Sequence, residues 1–390
     1  MKLQSLLELA SKKAINDHRS LKIDLTSLPR TILNSLLFAS VQQDRVLTLE
    51  TLVTRWPLRE LVLRNCDALD ESHAVLLAGY LQKSGHEIRV VDITGCDIGT
   101  RGTSAFCSMT QHRILQTQKP STPEEAPCYR TSSLTVFLDC IVNQDNYFLV
   151  KQALVDHTSV DIKVHKLSIS ELHRSKLCSL VSLLEADVIN TLHCPFNSLE
   201  QEGVVTLCRS LITFTNLTDL NLAYNLIKHR DLEAIDGLAS TFSILTNLKK
   251  LDLSENQLGS GVCQVLQSLK VNLTHLNIGG CGIRESELDA FMGIDSLCHL
   301  EVLDLSRNGM SYAVKAMCRF ICKSATSLRF LLIEDNIFTA EHVPRLCRML
   351  KKLSSLETLF ICYNHLIPDD IKIIREAIPS VDVINRDYLF

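Results

Sequence analysis

Apolar residues recur in one fixed order along the carboxyl-terminal half of the chain. From Leu217 to Ile227 the sequence reads L-x-x-L-x-L-x-x-N-x-I. The central L-x-L alternates apolar and polar positions, which predicts a short strand with its leucines on one side. The same pattern begins again at several later leucines and once earlier. The copies start at Ile189, Leu217, Leu248, Leu273, Leu300, Leu328 and Leu356.

The position that asparagine occupies in this pattern, which we call the slot, sets the period. One copy has a cysteine there. The slot residues are Asn197, Asn225, Asn256, Cys281, Asn308, Asn336 and Asn364, so successive spacings are 28, 31, 25, 27, 28 and 28 residues. A period of this length with this leucine order is typical of a leucine-rich repeat. The slot side chain is expected to turn inward and to satisfy backbone groups where the chain leaves the strand.

Segments with apolar residues three and four positions apart follow the strands, as in residues 199–211, 231–245, 313–322 and 341–353. They predict one returning helix in each repeat. Parallel stacking of the strands would bury leucines that no single repeat could bury alone. The predicted fold class is therefore α/β, a leucine-rich repeat solenoid shaped as a ribonuclease-inhibitor-like horseshoe, with a helical cap at its amino terminus.

The pattern divides the chain into five regions. Residues 1–56 show helices, and residues 57–108 hold two repeats with Cys66 and Cys96 in the slot. Residues 109–133 carry three prolines and no periodicity, which predicts a flexible insertion. Residues 134–187 are interpreted as degenerate repeats, and residues 188–390 as regular repeats with a carboxyl-terminal cap.

The composition limits the kinds of partner that we expect and the cellular compartment in which we expect the protein. The formal net charge of −4 gives no basic footprint for nucleic acid. The chain shows no run of eighteen apolar residues and no secretory leader, so we expect no membrane association. The 15 cysteines are then expected to be free thiols in a reducing compartment. We expect an intracellular, cytoplasmic protein, with the nucleus as a second location.

Catalytic motifs are missing from the sequence. It contains no glycine-rich phosphate loop, no H-E-x-x-H, no nucleophile elbow and no C-x-x-C. Cys318 and Cys322 lie one helical turn apart, but core thiols explain them better than metal ligands do. We expect no enzymatic activity, no cofactor, no metal and no small-molecule substrate.

Two short motifs lie in the helical segment that precedes the repeats. Leu6, Ala10 and Ala14, after Ser5, fit the elongin-binding BC box, and their spacing places them on one helical stripe. Such a stripe suits insertion into an apolar pocket of a partner.

The second motif fits the cullin-2 box, with Leu28, Pro29, Ile32 and Leu36 at its defining positions. Pro29 suits the first turn of a helix. Each motif alone is weak, but the two occur in order within the one segment that lacks repeats. The alternative is that these apolar residues are the inward faces of capping helices, since solenoid ends need covers.

Several short runs carry a resemblance to a known family. They are L-L-E-L-A at 6–10, L-P-R at 28–30, L-L-F at 36–38, L-E-T-L-V at 49–53, W-P at 56–57 and V-F-L-D at 136–139. These runs resemble the PRAME family, which includes leucine-rich repeat-containing protein 14. The resemblance implies substrate reception for cullin-2 RING ubiquitin ligases through elongins B and C. The carboxyl-terminal repeats are more regular than those of the family, so the identity of a client does not carry over.

The outward positions of the strands form a second candidate site, for a protein client. Asp219, Asp252 and Asp304 make its middle acidic, which favours a basic client. Further along it becomes apolar and aromatic, at Phe330, Leu332, Phe360 and Tyr363. The alternative is that residues after Pro379 fold over these aromatic positions as an end cap.

These observations together predict a non-catalytic substrate-recognition subunit of a cullin-2 ligase. Leu6, Ala10 and Ala14 would contact elongin C, Leu28, Pro29, Ile32 and Leu36 would select cullin-2, and the strands would hold the client. The alternative function is a leucine-rich repeat interaction scaffold or inhibitor without a ligase role. An enzyme is a third possibility, which no constellation of residues supports.

Overall fold

A computed structural model describes Ser11 and residues 25–83, 88–117, 134–156 and 160–385, without the side chains of Ser27, Lys83 and residues 111–117. The chain divides into two compact units. Unit 1 comprises Met1–Ile169 with Leu183–Ile189, and unit 2 comprises Ser170–Ser182 with Asn190–Phe390.

Unit 1 has a parallel sheet whose strands are paired in chain order. Two helices precede the first strand and later helices follow individual strands. The strands are β1 Glu60–Val62, β2 Val90–Asp92, β3 Leu134–Val142 and β4 Val160–Ile169. The helices are α1 Arg30–Gln42, α2 Val46–Thr54, α3 Glu71–Lys83, α4 Gly99–Thr117 and α5 Tyr147–Val155, after a 3-10 turn at Leu25–Ser27.

Unit 2 is the regular array, and its strands also pair in parallel and in chain order. The strands are β5 Thr191–His193, β6 Asp219–Asn221, β7 Lys250–Asp252, β8 His275–Asn277, β9 Val302–Asp304, β10 Phe330–Leu332, β11 Thr358–Phe360 and β12 Asp382–Ile384. The helices are α6 Arg174–Val181, α7 Glu200–Leu211, α8 Leu232–Phe242, α9 Gly261–Gln267, α10 Glu285–Phe291, α11 Val314–Ile321, α12 Val343–Leu350 and α13 Pro368–Ala377. Short 3-10 turns lie at Asp295–Leu297, Met310–Ala313, Cys322–Ser324 and Ala340–His342.

The predicted helical cap is present in unit 1. Helix α2 packs between α1 and α3, and Leu37 and Leu52 are fully buried in that packing. Trp56, which ends the segment, is buried and donates its indole N–H to the carbonyl of Glu60, 2.9 Å away. Burial of each large apolar side chain contributes about 1.5–3 kcal/mol, so this cap stabilises the first repeat.

The slot residues hold the turns of unit 2, as expected. The Asn256 amide donates to the carbonyls of Leu222 (2.8 Å) and Leu253 (2.9 Å). Its carbonyl oxygen accepts the backbone N–H groups of Asn225 (3.0 Å) and Ile227 (3.1 Å). One buried side chain therefore satisfies backbone groups of two neighbouring repeats and fixes their register.

Helix α4 extends into the segment predicted as a flexible insertion. The sequence predicts a break at Met109, but α4 continues to Thr117, and Met109 and Thr110 are buried. No proline interrupts this stretch, so the helix can continue although the apolar periodicity fades. Residues 118–133, with the three prolines, lie outside the described residues.

The segment after it, interpreted from the sequence as degenerate repeats, contains two long strands. Strand β3 is nine residues long and alternates buried and half-buried positions throughout. Strand β4 is ten residues long, and its alternation is interrupted at His165 and Lys166. Their parallel register shifts once, between Leu138 and Asp139.

Candidate protein-interaction surface

The residues expected to contact elongin C are near the start of the chain. Leu6, Ala10 and Ala14 lie outside the described residues, so their grouping on one stripe stays a prediction.

The four residues of the cullin-2 box divide between the surface and the core. Pro29 is exposed, Leu28 and Ile32 are half-buried, and Leu36 is buried with 5% of its surface exposed. Pro29 is the N-cap of α1 and not a residue of its first turn, because the helix begins at Arg30. Leu36 belongs to the inward face of the cap, so a partner could contact Leu28, Pro29 and Ile32 but not Leu36.

The predicted acidic residues of the strand face have a structural role as well. Asp252 accepts the backbone N–H of Ser254 at 2.9 Å, and Asp304 accepts that of Ser306 at the same distance. Asn221 and Asn277 hold the equivalent turns in the same way. The bonds therefore need an oxygen at this position but no charge.

Burial raises the pKa of both carboxyl groups. For Asp252 the hydrogen bonds from Ser254 and Asn277 oppose this effect. For Asp304 the nearby carboxylates of Asp252 and Glu334 raise the pKa further. The two aspartates are thus placed in a region of accumulated negative charge.

Asp219, the third predicted acidic residue, lies next to a histidine of the preceding strand. Its carboxylate is 3.1 Å from Nε2 of His193. Asp219 starts β6 and Asp252 and Asp304 end β7 and β9, so the three do not form one row.

The predicted apolar positions do come together at the end of the sheet. Phe330 and Leu332 are the outward residues of β10, and Leu332 pairs in register with Phe360 of β11. All three are half-buried, and the guanidinium of Arg329 lies 5.4 Å from the Phe330 ring. Within the described residues, the segment after Pro379 does not fold over them, because β12 extends the sheet beside β11.

A row of residues beyond the strand ends lies next to this face, and it includes the predicted client residue Tyr363. The residue immediately before each slot has a left-handed backbone, with φ between 48° and 64° in unit 2. We call these residues the left-handed row. They are Phe196, Tyr224, Glu255, Gly280, Arg307, Asp335 and Tyr363.

Side chains of the left-handed row contact one another across several repeats. The rings of Phe196 and Tyr224 stack with centroids 4.2 Å apart and planes at 19°. Arg307 donates to the Glu255 carboxylate (2.8 Å) and to the Tyr224 hydroxyl (3.2 Å). Arg307 thus bonds to residues two and three repeats earlier.

Gly280 makes this bridge possible. A Cβ at Gly280, where φ is +64°, would lie 2.7 Å from the carboxyl carbon of Glu255. The missing side chain leaves the space in which the Glu255 carboxylate meets the guanidinium. These hydrogen bonds raise the pKa of Arg307, so its guanidinium is permanently charged.

The left-handed row and the strand ends enclose an open cleft of roughly 400 Å³ in unit 2. Its walls include the aromatic rings of Phe196, Tyr224 and Tyr363, of which Phe196 and Tyr363 are 53% and 44% exposed. Exposed aromatic side chains in a cleft are a common feature of protein-binding surfaces. Phe196 and Tyr224 could have been found by aligning the repeats on the slot and reading the preceding residue.

Metal ligands and thiols are the other chemically distinctive groups in the part of the chain that the structure describes. No group of three or more His, Cys, Asp or Glu side chains there could hold a metal ion. The described cysteines are free, and burial raises the pKa of several, to about 12 for Cys281 and Cys107. None of the described helices is long and apolar enough to cross a membrane.

Comparison with known proteins decides the class. The Leucine Rich repeat family profile matches residues 88–107, 245–261 and 296–313, which coincide with repeats of the structure. The chain has a leucine-rich repeat fold.

Relatives of this leucine-rich repeat protein include members of the family that the amino-terminal runs resemble. Leucine-rich repeat-containing protein 14 of Xenopus laevis is 22% identical over 96% of this chain and 85% of its own length. Human PRAME family member 7 is 21% identical over 92% of this chain and 80% of its own length. The resemblance to the PRAME family is therefore confirmed along nearly the whole chain.

The fold of the repeats is confirmed independently. Mouse ribonuclease inhibitor is 29% identical over 59% of this chain and 51% of its own length. Among solved structures, a chain of the yeast Rad7 and Elc1 complex aligns with a TM-score of 0.50 and 12% identity, covering 98% of this chain and 94% of that one. These likenesses establish an α/β leucine-rich repeat fold of the ribonuclease-inhibitor type.

Proposed function

We propose that this leucine-rich repeat protein is a non-catalytic substrate-recognition subunit of a cullin-2 RING ubiquitin ligase. Leu6, Ala10 and Ala14 would bind elongin B/C, Leu28, Pro29 and Ile32 would contact cullin-2, and the strand face of unit 2 would hold a protein client. The ligase partners would supply all transfer chemistry. We expect no cofactor and no small-molecule substrate, and a location in the cytoplasm and the nucleus.

The observation that carries this proposal is the cullin-2 box in its structural setting. The cap is already stabilised by the inward faces of α1 and α2, which include Leu36 and Leu37. Pro29 at the start of α1 is exposed, and Leu28 and Ile32 are only half-buried. Capping alone does not require apolar residues on this outer side, whereas a docking partner does.

The comparisons support the same proposal. The relatives that cover most of the chain include leucine-rich repeat-containing protein 14, a member of the family whose resemblance implies elongin and cullin-2 binding. The fold neighbour from yeast was solved as a complex of Rad7 and Elc1. An interaction role without a ligase is the alternative, and the cleft of unit 2 would serve it equally well.

Co-purification with elongins B and C and with cullin-2 tests the proposal. Wild-type chain is expected to retain all three partners. Leu6→Ser should remove the elongins, because a polar side chain cannot fill an apolar pocket without losing about 2 kcal/mol or more. Pro29→Ala should weaken cullin-2 while the elongins stay bound.

Leu47→Ser is the matched control. Leu47 is 61% exposed on α2, in the same amino-terminal region but outside both boxes. It should leave all three partners bound. If folded wild-type chain captures neither the elongins nor cullin-2, the ligase role is wrong and the scaffold role replaces it.

A further inference from the structure

The cleft of unit 2 has a strongly unbalanced charge. Five carboxylates line it together with one basic side chain, that of Arg307. The acidic residues are Asp252, Glu255, Asp304, Glu334 and Asp335. Placing like charges in one cleft costs free energy, which a bound cation would recover.

The chain itself shows which cation the cleft accepts. The guanidinium of Arg307 lies against a carboxylate, that of Glu255, and against the hydroxyl of Tyr224, whose ring stacks on Phe196. Carboxylate, phenol and aromatic surface are groups that recognise a planar, charged guanidinium. An arginine from another molecule would find the same kinds of group in the other half of the cleft.

The other half of the cleft holds Asp304, Glu334, Asp335 and the ring of Tyr363. Burial raises the pKa of Asp304, and the nearby carboxylates of Asp252 and Glu334 raise it further. Arg307 forms its ion pair with Glu255, two repeats earlier, whereas Asp335 and Tyr363 belong to the next two repeats. Negative charge and an aromatic wall thus occur together in a part of the cleft that Arg307 leaves open.

We propose that this cleft binds a basic segment of a protein partner, with an arginine side chain inserted between Tyr363 and the carboxylates of Asp304, Glu334 and Asp335. The inference rests on the proposed role of the strand face in client binding and names the chemistry of the client. Arg307 holds the Glu255 half of the cleft and repels a second cation, so it lowers the affinity for the segment.

A matched set of peptides tests the proposal on the full chain. The probe is a fluorescein-labelled glycine-serine peptide with three arginines, and its controls carry citrulline or glutamate at the same positions. Fluorescence anisotropy is measured at two salt concentrations. The arginine peptide should bind, more weakly at high salt, and the isosteric but neutral citrulline peptide should bind at least about tenfold more weakly, as expected for loss of charge-assisted hydrogen bonds. Equal binding of the arginine and citrulline peptides would overturn the proposal.

Variants locate the binding on the protein. A triple variant removes three charges of the cleft and keeps the side-chain shapes, with Asp304→Asn, Glu334→Gln and Asp335→Asn. It should lower the affinity for the arginine peptide by about tenfold or more. The control is Glu341→Gln with Asp369→Asn and Glu376→Gln, which changes the net charge equally at exposed positions outside the cleft. An equal loss in both triple variants would show nonspecific attraction and would contradict the proposal.

Arg307→Gln should change the affinity for the arginine peptide in the opposite direction. Removing the positive charge of Arg307 should increase the affinity for the arginine peptide by about threefold or more, the scale expected for one weakly screened charge. A weakened complex would show that Arg307 contacts the partner, and the proposed chemistry would be wrong. Elongin co-purification does not involve this cleft, so a failure here and a failure of the ligase role remain distinguishable.

Discussion

Units 1 and 2 hold their parallel strands together by different means. In unit 2 the strands are three residues long, and buried asparagines such as Asn256 bond to backbone groups of adjacent repeats. In unit 1 the slots of the first two repeats are cysteines, and Cys96 donates a single weak S–H bond, to the carbonyl of Leu63. The next strands of unit 1, β3 and β4, instead pair over nine or more residues.

The two kinds of slot differ in the hydrogen bonds that they can form. An asparagine offers donors and an acceptor where a thiol offers one weak donor. The left-handed residue before the slot does not depend on the amide, because Asn65 and Gly95 of unit 1 have it before a cysteine. In unit 2 the side chains at this position line the cleft.

The largest expected effect comes from removing one slot amide. Asn256→Ala leaves buried backbone groups of two repeats without partners, each worth about 1–3 kcal/mol. We expect the free energy of unfolding to fall by about 3 kcal/mol or more in urea denaturation. Cys96→Ala, the matching change in unit 1, should cost about 1–2 kcal/mol, mostly through lost packing. Equal losses would contradict the difference between the two units.

A smaller effect is expected at Gly280. Gly280→Ala forces a side chain at φ +64° and displaces the Glu255 carboxylate, whereas Gly282→Ala imposes similar strain at φ +72° with no atom within 4 Å. Backbone strain costs about 1 kcal/mol at either site. The free energy of unfolding should therefore fall further for Gly280→Ala, by up to about 1 kcal/mol for the broken bridge to Arg307. Identical losses would mean that the bridge contributes nothing.

The smallest effect depends on pH. Burial raises the pKa of Asp304 in the folded chain above the value of about 3.9 for an unfolded aspartate. Such a group contributes stability below pH 3.9, and that contribution is lost as the pH rises through the folded-state pKa. Asn221 and Asn277 show that an amide holds the same turn.

Asp304→Asn should therefore be at least as stable as wild type at pH 7, with a gain of about 1 kcal/mol or less. The gain should shrink as the pH is lowered towards 4. Urea denaturation at several pH values measures it. A loss of stability at pH 7 that persists at pH 4.5 would show that the carboxylate has a structural role beyond the turn.

The sequence predicts the parts of the molecule that depend on periodic burial. The slots, the strands and the helices of unit 2 lie where the leucine pattern places them, within a few residues. The sequence predicts the ends of the helices less accurately, because α4 continues past the last clear apolar repeat. The burial of Leu36 was also not predictable, since α1 has apolar residues on more than one side.

The cleft could be predicted only in part. Asp304, Asp335 and Tyr363 are evident as polar or aromatic residues near the outward face. The roles of Phe196 and Tyr224 depend on a left-handed backbone, which large aromatic residues adopt rarely and which hydrophobic patterning does not report. The bridge from Arg307 to Tyr224 spans 83 residues and depends on the absent side chain of Gly280.

The two proposals together give one chain two separable binding sites, a partner site in the amino-terminal helices and a client cleft in unit 2. The most direct test measures elongin co-purification and arginine-peptide affinity on the same preparations. The Leu6→Ser variant should no longer bind the elongins but should still bind the peptide. The triple variant at Asp304, Glu334 and Asp335 should bind the elongins but not the peptide. Loss of both activities in either folded variant, or of neither in both, would contradict the claim.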